Sequence, residues 1–352
     1  METGIQAEIP QANRADQLTR HQGAAIRPHR YAPPATGTDI PAVARSAQSG
    51  VTDQAQTILR FAADAVDAGI PTALVTLAEI RAGASRSLGA HMAVRSDGEY
   101  CGYVSGGCIE AAVAVEAIEA IACGADREVK FGLGSDYFDI VLPCGGGITL
   151  YVHVLRSSRP LRALLEALRE RRGAGLRYCP VSQELEFVGR CVETGDDGAW
   201  FWTGYRPDTR IVIFGGSIEA EVTTSLARAA AYDVHACGDG RGISLAEMVD
   251  ENTAIVLLFH DLEKEIPILE SALASPAMYI GALGSSRTHN RRIEALIHLN
   301  YDGQAIDRIK SPIGIFPKAR DARSLALSIL AEVAAIDARR TNGIPPPPPA
   351  SL

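Results

Sequence analysis

With 352 residues, 47% of them hydrophobic, the chain is long enough for two globular domains with sizeable cores. Lys and Arg number 34 against 42 Asp and Glu, and the net charge of −8 argues against nucleic acids and anionic membrane surfaces as partners. Seven cysteines without a dense framework fit a reducing compartment better than a disulfide scaffold. No apolar run reaches the roughly 18 residues of a membrane span and no signal peptide opens the chain, so we expect a cytoplasmic protein.

Both ends of the chain are predicted to lie outside the folded domains. Residues 1–48 are rich in Ala, Gln, Arg, Pro and Thr and show no sustained periodicity, which is typical of a disordered arm. Residues 339–352 are predicted to form a second disordered segment, because five consecutive prolines from Pro345 favour an extended chain.

The first folded domain is predicted over residues 49–156. An apolar face at helical spacing indicates a helix within 51–66, and an Ala-rich helix is expected over 108–123. Short apolar runs bounded by turn residues predict the strands of this α+β domain, at 72–77, 91–94, 99–104, 128–131 and 148–154.

Two loops of this domain each place a cysteine beside glycines. A Gly-Gly pair lets a ligand approach the backbone and leaves amide groups free for an anion, and a thiol adds a soft nucleophile or metal ligand. Cys108 is predicted at the start of a helix, where unpaired N–H groups favour anions and lower a thiol pKa. We therefore expect a site for an anionic, sulfur- or metal-bearing cofactor formed by Ser105, Gly106, Gly107, Cys108, Cys144, Gly145 and Gly146.

Two charged residues near these loops have two interpretations each. Glu110 either complements the helix dipole or belongs to the site, and Arg86 is either a surface charge or a phosphate ligand. The remaining cysteines are predicted to be packing residues; they are Cys101, Cys123, Cys179, Cys191 and Cys237.

Residues 157–208 are predicted to be a connector that holds a charged helix at 159–171 and short strand-like pieces such as 185–188. Buried strands and helices then alternate over 209–338, which indicates a Rossmann-like, doubly wound parallel sheet. The strands are predicted at 211–214, 233–237, 254–258 and 278–282, with a closing helix at 323–336.

The dinucleotide fingerprint of this second domain is incomplete. Gly215 and Gly216 follow the first strand, but Ser217 stands where a second essential glycine lets a pyrophosphate approach, so NAD(P) binding and a Rossmann-like domain without nicotinamide both remain open. Further ligand contacts are expected where later strands end: at His260 and Asp261, unless that Asp is only a helix cap, and at an anion nest formed by Gly284, Ser285 and Arg287.

These residues resemble the XdhC/CoxI family, the accessory proteins that mature xanthine dehydrogenase and related molybdenum hydroxylases. The resemblance extends from about residue 52 to 337. It rests on motifs that occur in the order typical of the family: Arg86-Ser-Leu-Gly-Ala-His-Met92, Val104-Ser-Gly-Gly-Cys-Ile-Glu110, Cys144-Gly-Gly, His260-Asp261, Tyr279-Ile-Gly-Ala-Leu-Gly-Ser-Ser-Arg-Thr-His289, Ser311-Pro-Ile-Gly314 and Leu327-Ser-Ile-Leu-Ala-Glu332.

The resemblance implies an α/β protein in which an XdhC/CoxI-type domain precedes a Rossmann-like domain. It also implies a protein that binds the molybdenum cofactor (molybdopterin), supports exchange of an oxo for a sulfido ligand with a cysteine desulfurase, and delivers the product to an apo molybdenum hydroxylase. Cys108 and Cys144 would then be molybdenum contacts. Such a protein is a maturation factor rather than a catalyst, and a homodimer is compatible with it.

Two departures from the family pattern keep other functions open. Gly215-Gly-Ser-Ile218 replaces the usual Gly-Ala-Gly-His, and Ile315-Phe-Pro-Lys318 replaces an aspartate and small residues. A nicotinamide-dependent oxidoreductase is the first alternative, which Ser217 disfavours. The second is a cofactor nucleotidyltransferase, since Ala82-Gly-Ala-Ser-Arg-Ser-Leu-Gly89 resembles a triphosphate loop without its double glycine.

Overall fold

The computed structural model describes residues 47–49, 52–135, 145–316 and 319–341, which form three sheets with flanking helices. Most of the predicted arm and tail lies outside these ranges. Within them, both predicted boundaries shift: Ala47–Gln48 form a strand, and the last helix continues to Thr341. No helix of the described chain is both long enough and apolar enough to span a bilayer.

The first sheet has six strands in the order β1-β4-β3-β2-β6-β5. Its strands and helices are β1 (Ala47–Gln48), α1 (Ala55–Asp67), β2 (Thr72–Arg81), β3 (His91–Arg95), β4 (Glu99–Gly102), α2 (Glu110–Cys123), β5 (Arg127–Gly132) and β6 (Gly147–Val154). Val75 and Leu77 pack towards α2, whereas Leu74 packs towards α1 on the opposite face. Both faces of the first half of β2 are therefore covered, and its first four residues are all buried.

The segment predicted as a connector is folded. It contains α3 (Arg159–Arg169) and an antiparallel sheet in the order β8-β7-β10-β9, formed by β7 (Ala174–Cys179), β8 (Glu184–Val188), β9 (Gly195–Asp196) and β10 (Phe201–Tyr205). The inner face of this second sheet packs on the first domain, where Tyr178 and Phe201 contact Tyr151. The carboxyl group of Asp126 ties the two sheets together, accepting hydrogen bonds from the Tyr178 hydroxyl at 2.9 Å and from His153 Nδ1 at 2.6 Å.

The third sheet is parallel throughout, with the order β12-β11-β13-β14-β15. Its strands and helices are β11 (Arg210–Phe214), α4 (Ile218–Ala229), β12 (Asp233–Ala236), α5 (Leu245–Met248), β13 (Thr253–Leu257), α6 (Leu262–Leu273), β14 (Tyr279–Ala282), α7 (Ser286–His298), α8 (Gly303–Asp307), β15 (Ile309–Lys310) and α9 (Ala322–Thr341). Helices cover both faces, as the sequence predicts. The strand order reverses between β11 and β13, the place where doubly wound sheets bind ligands.

Arg171, in the turn after α3, docks the third sheet onto the rest of the molecule. Its guanidinium donates to the Asp250 carboxylate at 2.7 Å and to the carbonyl oxygen of Asp208 at 2.6 Å. Both partners precede strands, so the contact holds the amino edge of the parallel sheet. The carboxyl edge lies at the other end of the strands, away from this contact.

Candidate functional site

Three loops of the first domain meet at one end of its sheet. They are the loop after β2, the loop between β4 and α2, and the glycines before β6. The Ser85 hydroxyl donates to the carbonyl oxygen of Ser105. A Cβ at Gly146 would overlap the carbonyl oxygen of Gly83, so the loops approach as closely as a glycine allows. The structure therefore brings together loops that the sequence marks separately.

Glu110 holds the loop between β4 and α2 from beneath. Its side chain is buried, with the residue 3% exposed, and its carboxyl oxygens accept hydrogen bonds from the backbone N–H groups of Val104 at 3.1 Å, Ser105 at 2.8 Å and Gly107 at 2.9 Å. A buried carboxyl group needs such donors, and the loop supplies them. Glu110 is thus an internal support of the site loop.

This arrangement corrects the expected open anion nest. The N–H of Gly107 is taken by Glu110, and the N–H groups of Cys108 and Ile109 both donate to the Ser105 hydroxyl oxygen at 3.2 Å. The helix begins at Glu110, two residues later than predicted. What the loop offers to a ligand is therefore chiefly its thiol.

Cys108 is exposed on this braced loop, whereas Cys101 on the adjoining strand is buried and burial raises the pKa of its thiol. Cys144 lies outside the described residues. The prediction that the other cysteines are packing residues is wrong for Cys123 and Cys191, which are both exposed. In the described ranges, no three His, Cys, Asp or Glu side chains are placed to hold a metal ion.

Arg86, on the loop after β2, forms an ion pair with Asp53, with 2.7 Å between Nη1 and Oδ2. Its positive charge is therefore compensated in this structure, and a phosphate at this position would compete with the Asp53 carboxylate. This pairing disfavours a triphosphate loop at residues 82–89.

The switch point of the parallel sheet brings Gly215 against the strand end of β13. Gly215 has a φ of +131°, and a Cβ there would lie 2.6 Å from the carbonyl oxygen of Leu258. Ser217 takes the N-cap position of α4. The pKa of Glu219 in the first turn is lowered, first by the Ser217 hydroxyl and further by His260, whose Nε2 lies 3.7 Å from the Glu219 carboxylate. A carboxylate at the start of this helix repels the phosphates of NAD(P).

Two further predicted site residues act as helix caps. The Asp261 carboxylate accepts from the N–H of Glu263 at 3.0 Å, and the Ser285 hydroxyl accepts from the N–H of Thr288 at 3.3 Å. Arg287 follows in the first turn of α7 and is exposed. A ligand role for these residues stays a prediction, alongside their observed capping role.

Sequence reasoning missed Arg292, which is fully buried beneath the carboxyl edge. Its guanidinium forms an ion pair with Glu265 on α6, donates to the Leu283 carbonyl oxygen at 2.8 Å and to the Ser311 hydroxyl at 3.0 Å. It thereby links α6, which follows β13, to the loops after β14 and β15. Burial raises the pKa of Glu265. Because Arg292 lies in a run of basic residues from Arg287 onwards, the sequence alone does not single it out.

The geometry defines an α/β protein whose C-terminal domain is Rossmann-like. Comparison with known proteins then identifies the family to which it belongs. A family model described as the XdhC Rossmann domain matches residues 211–333, and another described as the XdhC and CoxI family matches residues 65–132. The chain is 51% identical over 289 residues to the molybdenum cofactor insertion chaperone PaoD of Escherichia coli, covering 82% of this chain and 91% of that protein. The chain therefore belongs to the XdhC and CoxI family.

Two more distant similarities were found, one to a protein sequence and one to a solved structure that shares the fold. The uncharacterized Escherichia coli protein YqeB is 23% identical over 288 residues, and the match covers 47% of its length. A crystal structure of a protein described as a xanthine dehydrogenase from Bacillus halodurans superposes with a TM-score of 0.64 at 19% identity, covering 82% of this chain and 98% of that one. The predicted fold class is confirmed.

Proposed function

We propose that this protein is a chaperone that binds the molybdenum cofactor and supports its insertion into an apo molybdenum hydroxylase of the xanthine dehydrogenase type. The observation that carries the proposal is the exposed Cys108 thiol on a braced glycine loop. The chain that presents it is 51% identical to a relative named as a molybdenum cofactor insertion chaperone.

The residues around this loop fit such a cargo. The cofactor brings a molybdenum atom with dithiolene sulfurs and a phosphate, and a thiol is a ligand of matching softness. At Gly107 and Gly145 a Cβ would meet no described atom within 4 Å, so a ligand can approach the backbone there. Cys108 would hold the molybdenum end, with Cys144 as the second sulfur, while Arg86 would exchange Asp53 for the phosphate.

The carboxyl edge of the parallel sheet is a second expected ligand site, separate from the Cys108 loop. Arg287 is exposed beside the capped start of α7, and Gly284 precedes it in a tight turn. Gly215, Gly216, His260 and Asp261 border the switch point at the same edge. There the positive Arg287 would attract an anionic ligand, and Glu219 would keep phosphates away from α4.

The same proposal includes steps that need partners. Exchange of an oxo for a sulfido ligand requires sulfur from a cysteine desulfurase, and an exposed thiol beside the molybdenum is suited to such chemistry. The six described cysteines are free thiols, which fits a cytoplasmic location. A homodimer is part of the same expectation.

The experiment compares two exposed cysteines. Cys108→Ala should reduce retention of molybdenum and pterin about tenfold or more after incubation with released cofactor and desalting, because it removes the soft ligand. Cys123→Ala, at the far end of α2, is the matched control and should retain cofactor like the parent. Equal retention by the two variants would contradict the assignment of Cys108.

A further inference from the structure

The outer face of the second sheet carries both tryptophans of the chain. Trp202 on β10 lies opposite Arg177 on β7, and Arg177 lies opposite Glu186 on β8. The Arg177 guanidinium stacks over Trp200, with 4.2 Å from Cζ to the ring centroid, and lies 5.5 Å from the centroid of Trp202. We call Trp200, Arg177 and Trp202 the tryptophan face.

Polar contacts fix the side chains of the tryptophan face, but no other described segment buries this face completely. Trp202 Nε1 donates to the Asp197 carboxylate at 2.8 Å, and Arg177 Nε donates to Glu186 at 2.7 Å. Inward-facing neighbours on the same strands, Tyr178 and Phe201, are buried against the first sheet. In the described part of the chain, both indoles nevertheless stay partly exposed.

The charge around this face is negative. Residues 174–205 contain five acidic residues and two arginines, and Glu186 already neutralises Arg177. The pKa of Tyr151, which packs beneath the sheet, is raised to about 12 by burial and by nearby carboxylates, of which Asp196 acts most strongly. A nucleic acid or an anionic membrane is therefore repelled, whereas Lys and Arg side chains are attracted both by the carboxylates and by the indole rings.

We propose that the tryptophan face is a docking surface for a basic segment of the apo-hydroxylase. Trp and Arg are the residues that most often dominate the binding energy of protein interfaces. The arrangement places a rigid aromatic centre inside an acidic rim, complementary to arginine or lysine side chains of a partner. This inference rests on the proposed function, because it assigns the chaperone's contact with its client to a surface separate from the Cys108 loop.

The first measurement uses intrinsic fluorescence, since Trp200 and Trp202 are the only tryptophans. The full-length protein is titrated with an arginine–glycine repeat peptide and, separately, with a glutamate–glycine peptide of equal length. We expect a saturable, salt-sensitive change in emission with the first peptide and none with the second. An unchanged emission with the arginine peptide would overturn the proposal.

The second measurement uses charge variants. Glu184→Gln with Glu193→Gln should weaken peptide binding about fivefold, the effect of two exposed charge pairs, and should reduce activation of the apo-hydroxylase to a similar extent. Glu251→Gln with Glu263→Gln removes two exposed charges from the Rossmann-like domain and should leave both readings unchanged. Equal activation by the two double variants would refute docking at this face.

Cofactor retention separates this proposal from the proposed function. The Glu184/Glu193 variant should retain molybdenum and pterin like the parent, because neither residue lies in the site loops. Failure of the parent protein to retain cofactor would contradict the proposed chaperone function. The peptide titration would still decide independently whether the tryptophan face binds a basic segment.

Discussion

Two segments of the chain share the pattern Gly-Gly-X-Ile-Glu-Ala yet fold differently. In the first, starting at Gly106, both glycines have positive φ, and the isoleucine and glutamate are buried, at 4% and 3% exposure. In the second, starting at Gly215, the helix begins at Ile218, which is 65% exposed, and the side chain of Glu219 is 23% exposed. The same residue pattern therefore places the carboxyl group under the loop in one domain and at its rim in the other.

The loop that precedes each helix accounts for the difference. Between β4 and α2 the chain has seven intervening residues, enough to wrap around Glu110 and donate N–H groups to it. Between β11 and α4 only three residues intervene, and Gly215 packs so closely on the Leu258 carbonyl group that a Cβ would clash with it. A short βα turn leaves no backbone to enclose a carboxylate, so Glu219 faces His260 instead. Tertiary context, not the motif, decides what each glutamate does.

The largest loss of stability is expected at the carboxyl edge of the parallel sheet. There the buried Arg292, and not Glu219 of the glycine motif, links the surrounding elements. Arg292→Ala should lower the free energy of unfolding by about 3–5 kcal/mol, because it leaves Glu265 buried without a partner. Urea unfolding measures the loss. The double variant Arg292→Met with Glu265→Leu should recover most of it, and failure to recover would mean that the backbone contacts of Arg292 matter more than its ion pair.

The next effect tests the two glutamates directly. Glu110→Ala should cost about 3 kcal/mol, since several buried N–H groups lose their acceptor, whereas Glu219→Ala should change stability by less than about 0.5 kcal/mol. Glu110→Gln, which keeps an acceptor oxygen, should cost less than Glu110→Ala. Similar unfolding midpoints for the two alanine variants would contradict the inference that Glu110 supports its loop whereas Glu219 does not.

A smaller effect should appear with pH, through His91 in the first domain. Burial lowers the pKa of His91 from 6.5 to about 4, so the unfolded chain binds a proton before the folded one does. Stability should therefore fall as the pH decreases from about 6.5 towards 4, by about 1.4 kcal/mol per pH unit. The lowered pKa of Glu219 contributes only below the ordinary Glu range, where its stabilisation is lost as the pH falls.

The matching measurement is urea unfolding of the parent at pH 7 and pH 5, repeated with His91→Gln. The variant should lose most of the pH dependence over this interval, although its stability at pH 7 will be lower because the Tyr205 hydroxyl loses a partner. A slope as steep in the variant as in the parent would assign the pH effect to other groups.

Sequence patterns are most informative where strands are buried on both faces. The four strands predicted for the parallel sheet all occur, each within about two residues of the expected bounds. Three of them, β11, β13 and β14, are largely apolar runs between turn residues, the pattern typical of strands covered on both sides. The second sheet leaves a weaker pattern, since Gly175 and Gly204 interrupt its strands and its outer face mixes charged residues with partly exposed tryptophans. β15 is not predicted because two residues are too few for a periodic signal.

The contacts within the candidate site could not be predicted from the sequence. The two glycine–cysteine loops both contact the loop after β2, but the sequence does not indicate that Glu110 and Ser105 use the amides expected to be free. It also does not distinguish Arg292 from the exposed Arg287 and Arg291, since burial depends on which face of α7 lies on the sheet. Pairings between distant residues, such as Arg86 with Asp53, leave no local pattern at all.

The hydrogen bonds inside the Cys108 loop have a consequence for the speed of cofactor transfer under the proposed function. A loop whose amides are already bonded to Glu110 and Ser105 has little conformational entropy left to lose when a ligand arrives. On the proposed function, loading and release of the cofactor would therefore need no ordering or melting of this loop, and the bonds to the cofactor would set the lifetime of the loaded state. A thiol of the client could then replace such a bond one sulfur at a time, so that a firmly held cofactor would leave quickly when its recipient is present.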